Sequence, residues 1–404
     1  MNKFLKFPFC MAVSALMTAG LAACSDSDDP VDTGSDTKNT ALKEAIIPYV
    51  DNNVIATYKT MADEAIEVSK YCDLVRDTWE TDKAQATEYN KQACEHWKKS
   101  REAWELSESF LFGAAGDFDI DPHIDSWPLD QVALDNLLNN QSIMNQIGES
   151  GGAYVSSNLG YGLLGFHALE YILFQLTSDS TTEPRDFTKT YNYPKQVVNI
   201  TQNHLIYMAA VAEDLRNQCI RLEAFWAGLE NITSEKQQIL EDAEISISFN
   251  YGESMKNAGA GSSKYQSFTL AAQELIQGCI DIVDEVGTQK IGRPNNGTSA
   301  DDKSYIESPY ALNSIVDFAD NIRSVKNSYE GVGDDKSVSD YLASVDPEID
   351  QEVKTAIDDA IAKIELIPEP FALNATGAEA DAAIVALETL STALDKANST
   401  LLNN

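Results

Sequence analysis

The chain has 404 residues, 43% of them hydrophobic and 23% charged, enough apolar material for a large folded core. Its 64 acidic residues outnumber 29 basic ones and leave a formal net charge of −35. That field repels a phosphate backbone, so no nucleic-acid partner is expected, whereas a cation or a basic partner is attracted and solubility is served as well.

The chain opens with Lys3 and Lys6, then the apolar run FPFCMAVSALMTAGLAAC. This run is too short, and too closely followed by acid, for a comfortable membrane span, and it reads as a signal peptide over 1–23. Its ending, Leu21-Ala22-Ala23-Cys24, resembles a bacterial lipobox, in which Cys24 becomes the acylated first residue of the mature chain. An ordinary signal cut nearby, leaving Cys24 free, is the alternative. Residues 24–40 are polar and acidic and read as a flexible tether, since they offer too little apolar surface to offset their own ordering. Ser25 to Asp29 resembles the acidic signal of Bacteroidetes-type lipoproteins on the outer face of the outer membrane, although a plain linker suits the composition equally. The expected location is the outer membrane, reached through a lipid anchor, with cell-surface exposure as one of two orientations.

From Ala41 onward helical spacing dominates, and it predicts helices near 41–79, 83–113, 128–146, 158–177, 194–229, 234–256, 264–286, 307–330, 347–366 and 377–402. The one strand-like alternation, Ile245 to Phe249, is short and has no obvious partner. The expected fold is all-α. About 360 residues exceed a usual single core, so two four-helix-bundle-like halves are expected, 41–230 and 231–404, with a site at their interface. The long loops 114–127, 178–193 and 287–306 are candidates for shaping that site. After the signal and Cys24, the cysteines are Cys72, Cys94, Cys219 and Cys279, without a C-x-x-C pair. Cys72 and Cys94 are expected to come close where ETDKAQ turns one helix onto the next.

Several segments place charge among apolar neighbours. In GFHALEYILF, His167 and Glu170 share one face of an otherwise apolar helix, and burying them calls for a hydrogen-bond partner, a counter-charge or a metal ion. In HWKKSREAWELSESFLFG, Trp97, Arg101, Trp104 and Glu108 form a single stripe. Arg101 and Glu108 lie two turns apart, about 10 Å by helical rise, so their partners are expected on other helices, with a structural salt bridge as the plain alternative. The loop GDFDIDPHIDSWPLD starts like a calcium loop, but Pro122 and Pro128 occupy the positions of the required Gly and Glu. Ser126-Trp127-Pro128 reads instead as a helix start. GYGLLG matches G-x-G-x-x-G only superficially, because no strand precedes it, and its glycines are expected to permit a close approach. In the second half Tyr310, Ser314, Asp317 and Asn321 line up at helical spacing, and by themselves they read as a solvated face.

Taken together these segments resemble the imelysin family. GFHALE fits its G-x-H-x-x-E motif, Arg101, Trp104 and Glu108 fit R-x-x-W/Y-x-x-x-E, and FLFG and DSWPLD follow. The later run E-S-x-Y…D-x-x-x-N…Y-x-G covers Glu307, Ser308, Tyr310, Asp317, Asn321, Tyr329 and Gly331. The resemblance implies two helical bundles with His167 and Glu170 meeting Arg101, Glu108 and the later segment at their interface, and a role in bacterial iron uptake beside an older peptidase label. A zincin requires H-E-x-x-H, which is lacking here, so an enzyme is not the expected reading. One imidazole among carboxylates suits iron better than zinc, and His167, Glu170 and Glu108 are the candidate ligands. Arg101, Asp125, Ser308, Tyr310 and Asp317 are expected to support them, with binding weakening below about pH 6. The expected partners are a metal ion, the membrane through the lipid anchor, and an envelope transport protein. The alternatives are a zinc metallopeptidase using His167 and Glu170, and a metal-free adaptor whose network is structural.

Overall fold

The computed structural model describes residues 33–191, 196 and 199–403, with side chains from residue 37 onward. The signal-like segment, Cys24 and the start of the tether lie outside these residues. Helix α1, Thr33–Pro48, begins inside the stretch expected to be tether. There Lys38 Nζ donates to the Leu401 carbonyl at 2.6 Å, satisfying one of the last acceptors of the C-terminal helix. A π turn at Tyr49–Val54 carries the chain without a break into α2, Ile55–Thr78.

Helix α3, Lys83–Glu105, starts where the Asp82 side chain accepts the Gln85 amide. It stops eight residues before the predicted end, because Ser107 Oγ caps the Trp104 carbonyl and the chain enters a 3-10 turn at Glu108–Phe110. Two short helices, Ala114–Asp117 and Ile120–Ile124, occupy the first predicted loop. The next helix starts at Gln131 with Asp130 as its cap, so Ser126 does not open it; Ser126 Oγ donates back to the Pro122 carbonyl instead. That helix, Gln131–Leu138, gives way at Asn140, whose side chain caps α4, Gln141–Asn158. Helix α5, Gly165–Leu173, is shorter than predicted, since Phe174–Leu176 (β1) pairs antiparallel with Thr182–Pro184 (β2), Gln175 facing Glu183. Helix α6 is Gln202–Ala227.

In the second half the main helices are α7, Phe268–Glu285; α8, Ser314–Glu330; α9, Val338–Val345; α10, Pro347–Glu365; and α11, Ala378–Asn403. The alternating segment Ile245 to Phe249 is neither helix nor strand. The fold is all-α with one two-stranded ribbon among the described residues. Helices α2, α3, α4 and α6 pack around one centre, and α7, α8, α10 and α11 around another. Helix α1 packs on α7 and α9, so the first continuous helical run serves both groups, while α3 meets α8 across the junction. Cys72, Cys94, Cys219 and Cys279 are buried free thiols, and Cys94 Sγ donates to the Leu173 carbonyl at 3.5 Å rather than forming a bridge.

Candidate functional site

Five segments meet at the junction: α3, the loop after Ile124, α5, the turn following α7, and the strand-free stretch 306–313 that leads into α8. Gly165 lets α5 enter. It has φ +74, and a Cβ there would lie 2.0 Å from the Ile124 carbonyl oxygen, so only glycine permits this approach beside Asp125. Gly160 has open space around it, so the expected close approach concerns Gly165.

Arg101 is fully buried on α3 and paired several times over. Its guanidinium donates to Asp125 and to Glu307 Oε1, the latter at 2.5 Å, and forms an ion pair with Glu105 one turn ahead on the same helix; Asp317 Oδ2 lies 3.7 Å from Nε. Partners on other elements match the expectation. Trp104 Nε1 donates to the second oxygen of Asp125 at 2.7 Å, so the Trp97–Arg101–Trp104 stripe faces this centre. Glu108 falls beyond the end of α3, and its carboxylate lies 3.7 Å from Lys290 Nζ. Lys290, buried in the turn after α7, also reaches Glu307 at 3.2 Å and Glu105 at 3.6 Å.

His167 and Glu170 are buried on one face of α5. His167 Nδ1 is 3.0 Å from Glu170 Oε2, and the other Glu170 oxygen accepts the backbone amides of Tyr310 and Ala311, each at 2.6 Å. Both Glu170 oxygens are therefore engaged, and the carboxylate orients the ring. His167 Nε2 lies 3.1 Å from Asp125 Oδ1, inside ion-pair range but without an aligned hydrogen bond. Tyr310 contributes its amide here, while its hydroxyl accepts from Gln131. Ser308 Oγ donates to Asp317 at 2.5 Å, and Asn313 donates to the other oxygen of Asp317 at 2.6 Å. Ser308 at φ 47 and Leu312 at φ 55 bend the chain so that this stretch can wrap Glu170 and Asp317.

The Ser314, Asp317 and Asn321 stripe, read from spacing as a solvated face, is buried. Helix α8 turns it toward α3, where Asn321 donates to Glu105 at 2.5 Å. Glu105, Lys290 and Glu307 are absent from the ligand and support sets drawn from the sequence. Glu105 stands at i+4 from Arg101, a spacing that announces a pair, and Glu307 directly precedes Ser308. Lys290 has no periodic signal, being a single lysine in a turn.

Electrostatically, the centre has more acid than base. Burial raises Glu108 well above the usual carboxylate range, and raises Glu105 and Asp317 to about 7 in spite of Arg101. It raises Glu307 as well, with Lys290 and Arg101 opposing. Asp125 goes the other way: burial opposes its charge, but Arg101 and then His167 hold it well below the carboxylate range. Burial also opposes charge on His167, yet the Asp125 carboxylate 3.1 Å away and the hydrogen bond to Glu170 prevail and bring it to about 9.

Three sets of ligating atoms lie within 4.8 Å of one another: Asp125, His167 and Glu307; Glu105, Glu108 and Asp125; Glu105, Glu307 and Asp317. His167 is thus gathered with Asp125 and Glu307 rather than with Glu170 and Glu108. Glu170 is held by its amides, and Glu108 joins the neighbouring set through Asp125. His167 Nε2 and Glu307 Oε2 are buried with no hydrogen-bond partner among the described residues, so the first set has two donor atoms free for a cation.

The family model described as Imelysin matches residues 55–401. Iron-regulated protein A from Synechococcus elongatus is 23% identical over 351 residues, covering 86% of this chain and 82% of that protein. A crystal structure described as an iron-regulated protein A precursor, from Parabacteroides distasonis, is 26% identical with a TM-score of 0.71, covering 90% of this chain and 95% of that one. An imelysin-like protein from Psychrobacter arcticum shares the fold at 13% identity and a TM-score of 0.52, covering 92% and 95%.

Proposed function

The chain belongs to the imelysin family, and on that footing we propose that it binds a metal cation, iron in preference to zinc, as an envelope lipoprotein serving iron uptake. The observation that carries this reading is the set Asp125, His167 and Glu307, in which two buried donor atoms lack hydrogen-bond partners among the described residues, inside a centre richer in carboxylates than in cations. A metal ion would supply the missing positive charge; imidazole with carboxylate oxygens suits iron, and tolerates zinc. Glu170 presents the imidazole, the arrangement by which a carboxylate fixes the tautomer and direction of a ligating histidine. Arg101 and Lys290 offset the remaining acids, and Glu105, Glu108 and Asp317 would complete the surroundings of the ion. The name iron-regulated protein A, borne by two relatives, supports an iron-related role. The lipobox-like ending at Cys24 supports a lipid anchor in the outer membrane and hence a partner in envelope transport.

Because His167 is raised to about 9, a metal must displace its proton at neutral pH, so affinity should climb from pH 6 toward pH 9 rather than level off above 6. The test is iron and zinc analysis of chain purified without a histidine tag, followed by titration with each metal at pH 6, 7.5 and 9, against His167→Ala. Site-specific iron uptake that the variant loses supports the proposal. Equal and negligible metal in both proteins, with only stability lost in the variant, would mean that Arg101 and Lys290 already balance a purely structural network. Chelator-sensitive cleavage of a protein substrate would return the zinc-peptidase reading.

A further inference from the structure

His167 also lines a cleft of about 410 Å³, within the range of small-molecule sites. The 127–131 and 303–312 segments and the 370–373 turn form its walls, so both helical groups contribute. Its lining departs from the rest of this molecule. In a chain with 64 acidic residues, no Asp or Glu lines the cleft, whereas Lys303 and His167 do. Lys303 Nζ donates to the carbonyls of Pro294 and Asn295, at 3.1 and 3.0 Å, and has no carboxylate within 4.0 Å among the described residues. The remaining wall is largely apolar and braced: the Trp127 ring centre lies 3.9 Å from that of Tyr305, which Arg293 covers at 3.8 Å. Leu373, at 65% exposed, leaves apolar surface at the rim.

We propose that this cleft binds a small organic acid with an apolar body, its acid group toward Lys303 and its body against Trp127, Ile306 and Leu373. An uncharged ligand would leave the ammonium without a counter-ion, and a cation would meet it with like charge. The net negative charge of the molecule does not forbid an anion here, because screening confines fields to about 8 Å at physiological salt. This site does not depend on the metal reading, since Lys303 supplies the charge.

Calorimetric titration of the chelator-treated full chain with 1-naphthoate, and with 1-naphthalenemethanol as the uncharged probe of the same body, tests it. The expected result is saturable one-to-one binding of naphthoate at least tenfold tighter than the alcohol. Lys303→Met should weaken it about tenfold, and Leu373→Asp by at least as much; both positions are exposed, so both variants should fold. Absence of saturable naphthoate binding, equal affinity for the alcohol, or unchanged affinity in both variants would overturn the proposal. With metal removed by chelator, none of these outcomes bears on metal binding by the untreated chain, and the two readings fail separately.

Discussion

His167 owes its direction to one carboxylate, and that makes Glu170 the most informative single residue. Glu170→Gln keeps the oxygen that accepts Tyr310 and Ala311 but turns an amide NH2 toward Nδ1. An acceptor at Nδ1 puts the ring hydrogen on Nε2, the wrong tautomer for ligation. Metal affinity should fall roughly 10- to 100-fold, while the urea midpoint moves by no more than about 1 kcal/mol of stability. A loss of stability without loss of affinity would show that Glu170 serves the fold only. His204 offers a separate test away from the site. It closes the capping box of α6, with Nδ1 accepting the Thr201 amide at 3.2 Å, which requires a neutral ring. Burial, then the charge of Arg185, lowers it from 6.5 to about 4. Between those values the unfolded chain binds the proton more readily, so this stability is complete above pH 6.5 and is lost as pH falls toward 4, on the order of 3 kcal/mol. His204→Gln keeps a capping acceptor without titrating. Urea unfolding from pH 7 to 4 should show that part of the slope in the parent and not in the variant.

Among the elements, α5 depends most on a single backbone position. Gly165→Ala must place a methyl group against the Ile124 carbonyl at a φ of +74, and no neighbouring side chain can rotate away to relieve it. A loss of roughly 3 kcal/mol or more is expected by urea unfolding, with weaker metal binding because His167 rides on the same helix and Asp125 follows Ile124. Helix α3 shows the opposite case, in which an early stop helps the site. Ending at Glu105 lets Glu108 leave the Arg101 stripe and meet Lys290, so Arg101 has one acid fewer to balance. The stretch 306–313 serves as a strap: non-helical backbone frees the amides of Tyr310 and Ala311 to bind Glu170, which an α-helix through 307 would have committed to its own carbonyls.

For the whole molecule, the centre exists only because the two helical groups dock. Arg101, Glu105, Asp125, His167 and Glu170 come from one, and Lys290, Glu307 and Asp317 from the other. Removing one cation from such a network strands buried carboxylates, so Lys290→Met should cost about 3–5 kcal/mol, part of it recovered by added iron if the ion replaces the lost charge. Denaturation with and without iron measures both effects. No helix of the described residues is long and apolar enough to cross a membrane. Attachment would rest on Cys24, so Cys24→Ser should move the protein from the membrane fraction to the soluble one; retention in membranes would refute the lipid anchor.

Helical periodicity and capping chemistry are local properties, and most long helices were therefore legible in the sequence: α7, α10 and α11 lie close to their predicted spans, and Asp82 announces α3. The pairing of His167 with Glu170, and the need of both for partners, was equally readable, since three residues on a helix fix a shared face. Which partners answer that need was not. Spacing reports that Asp317 and Asn321 lie on one stripe, but not whether the stripe faces water or α3. Lys290 carries no pattern at all, and the backbone amides of Tyr310 and Ala311 are invisible as side-chain chemistry. The sequence determined by itself which residues need company in the interior, because desolvation is a cost each residue bears wherever it is buried. Only the tertiary structure decided which atoms remain free for a cation, because that depends on how neighbouring elements from distant parts of the chain have already used their hydrogen bonds and charges.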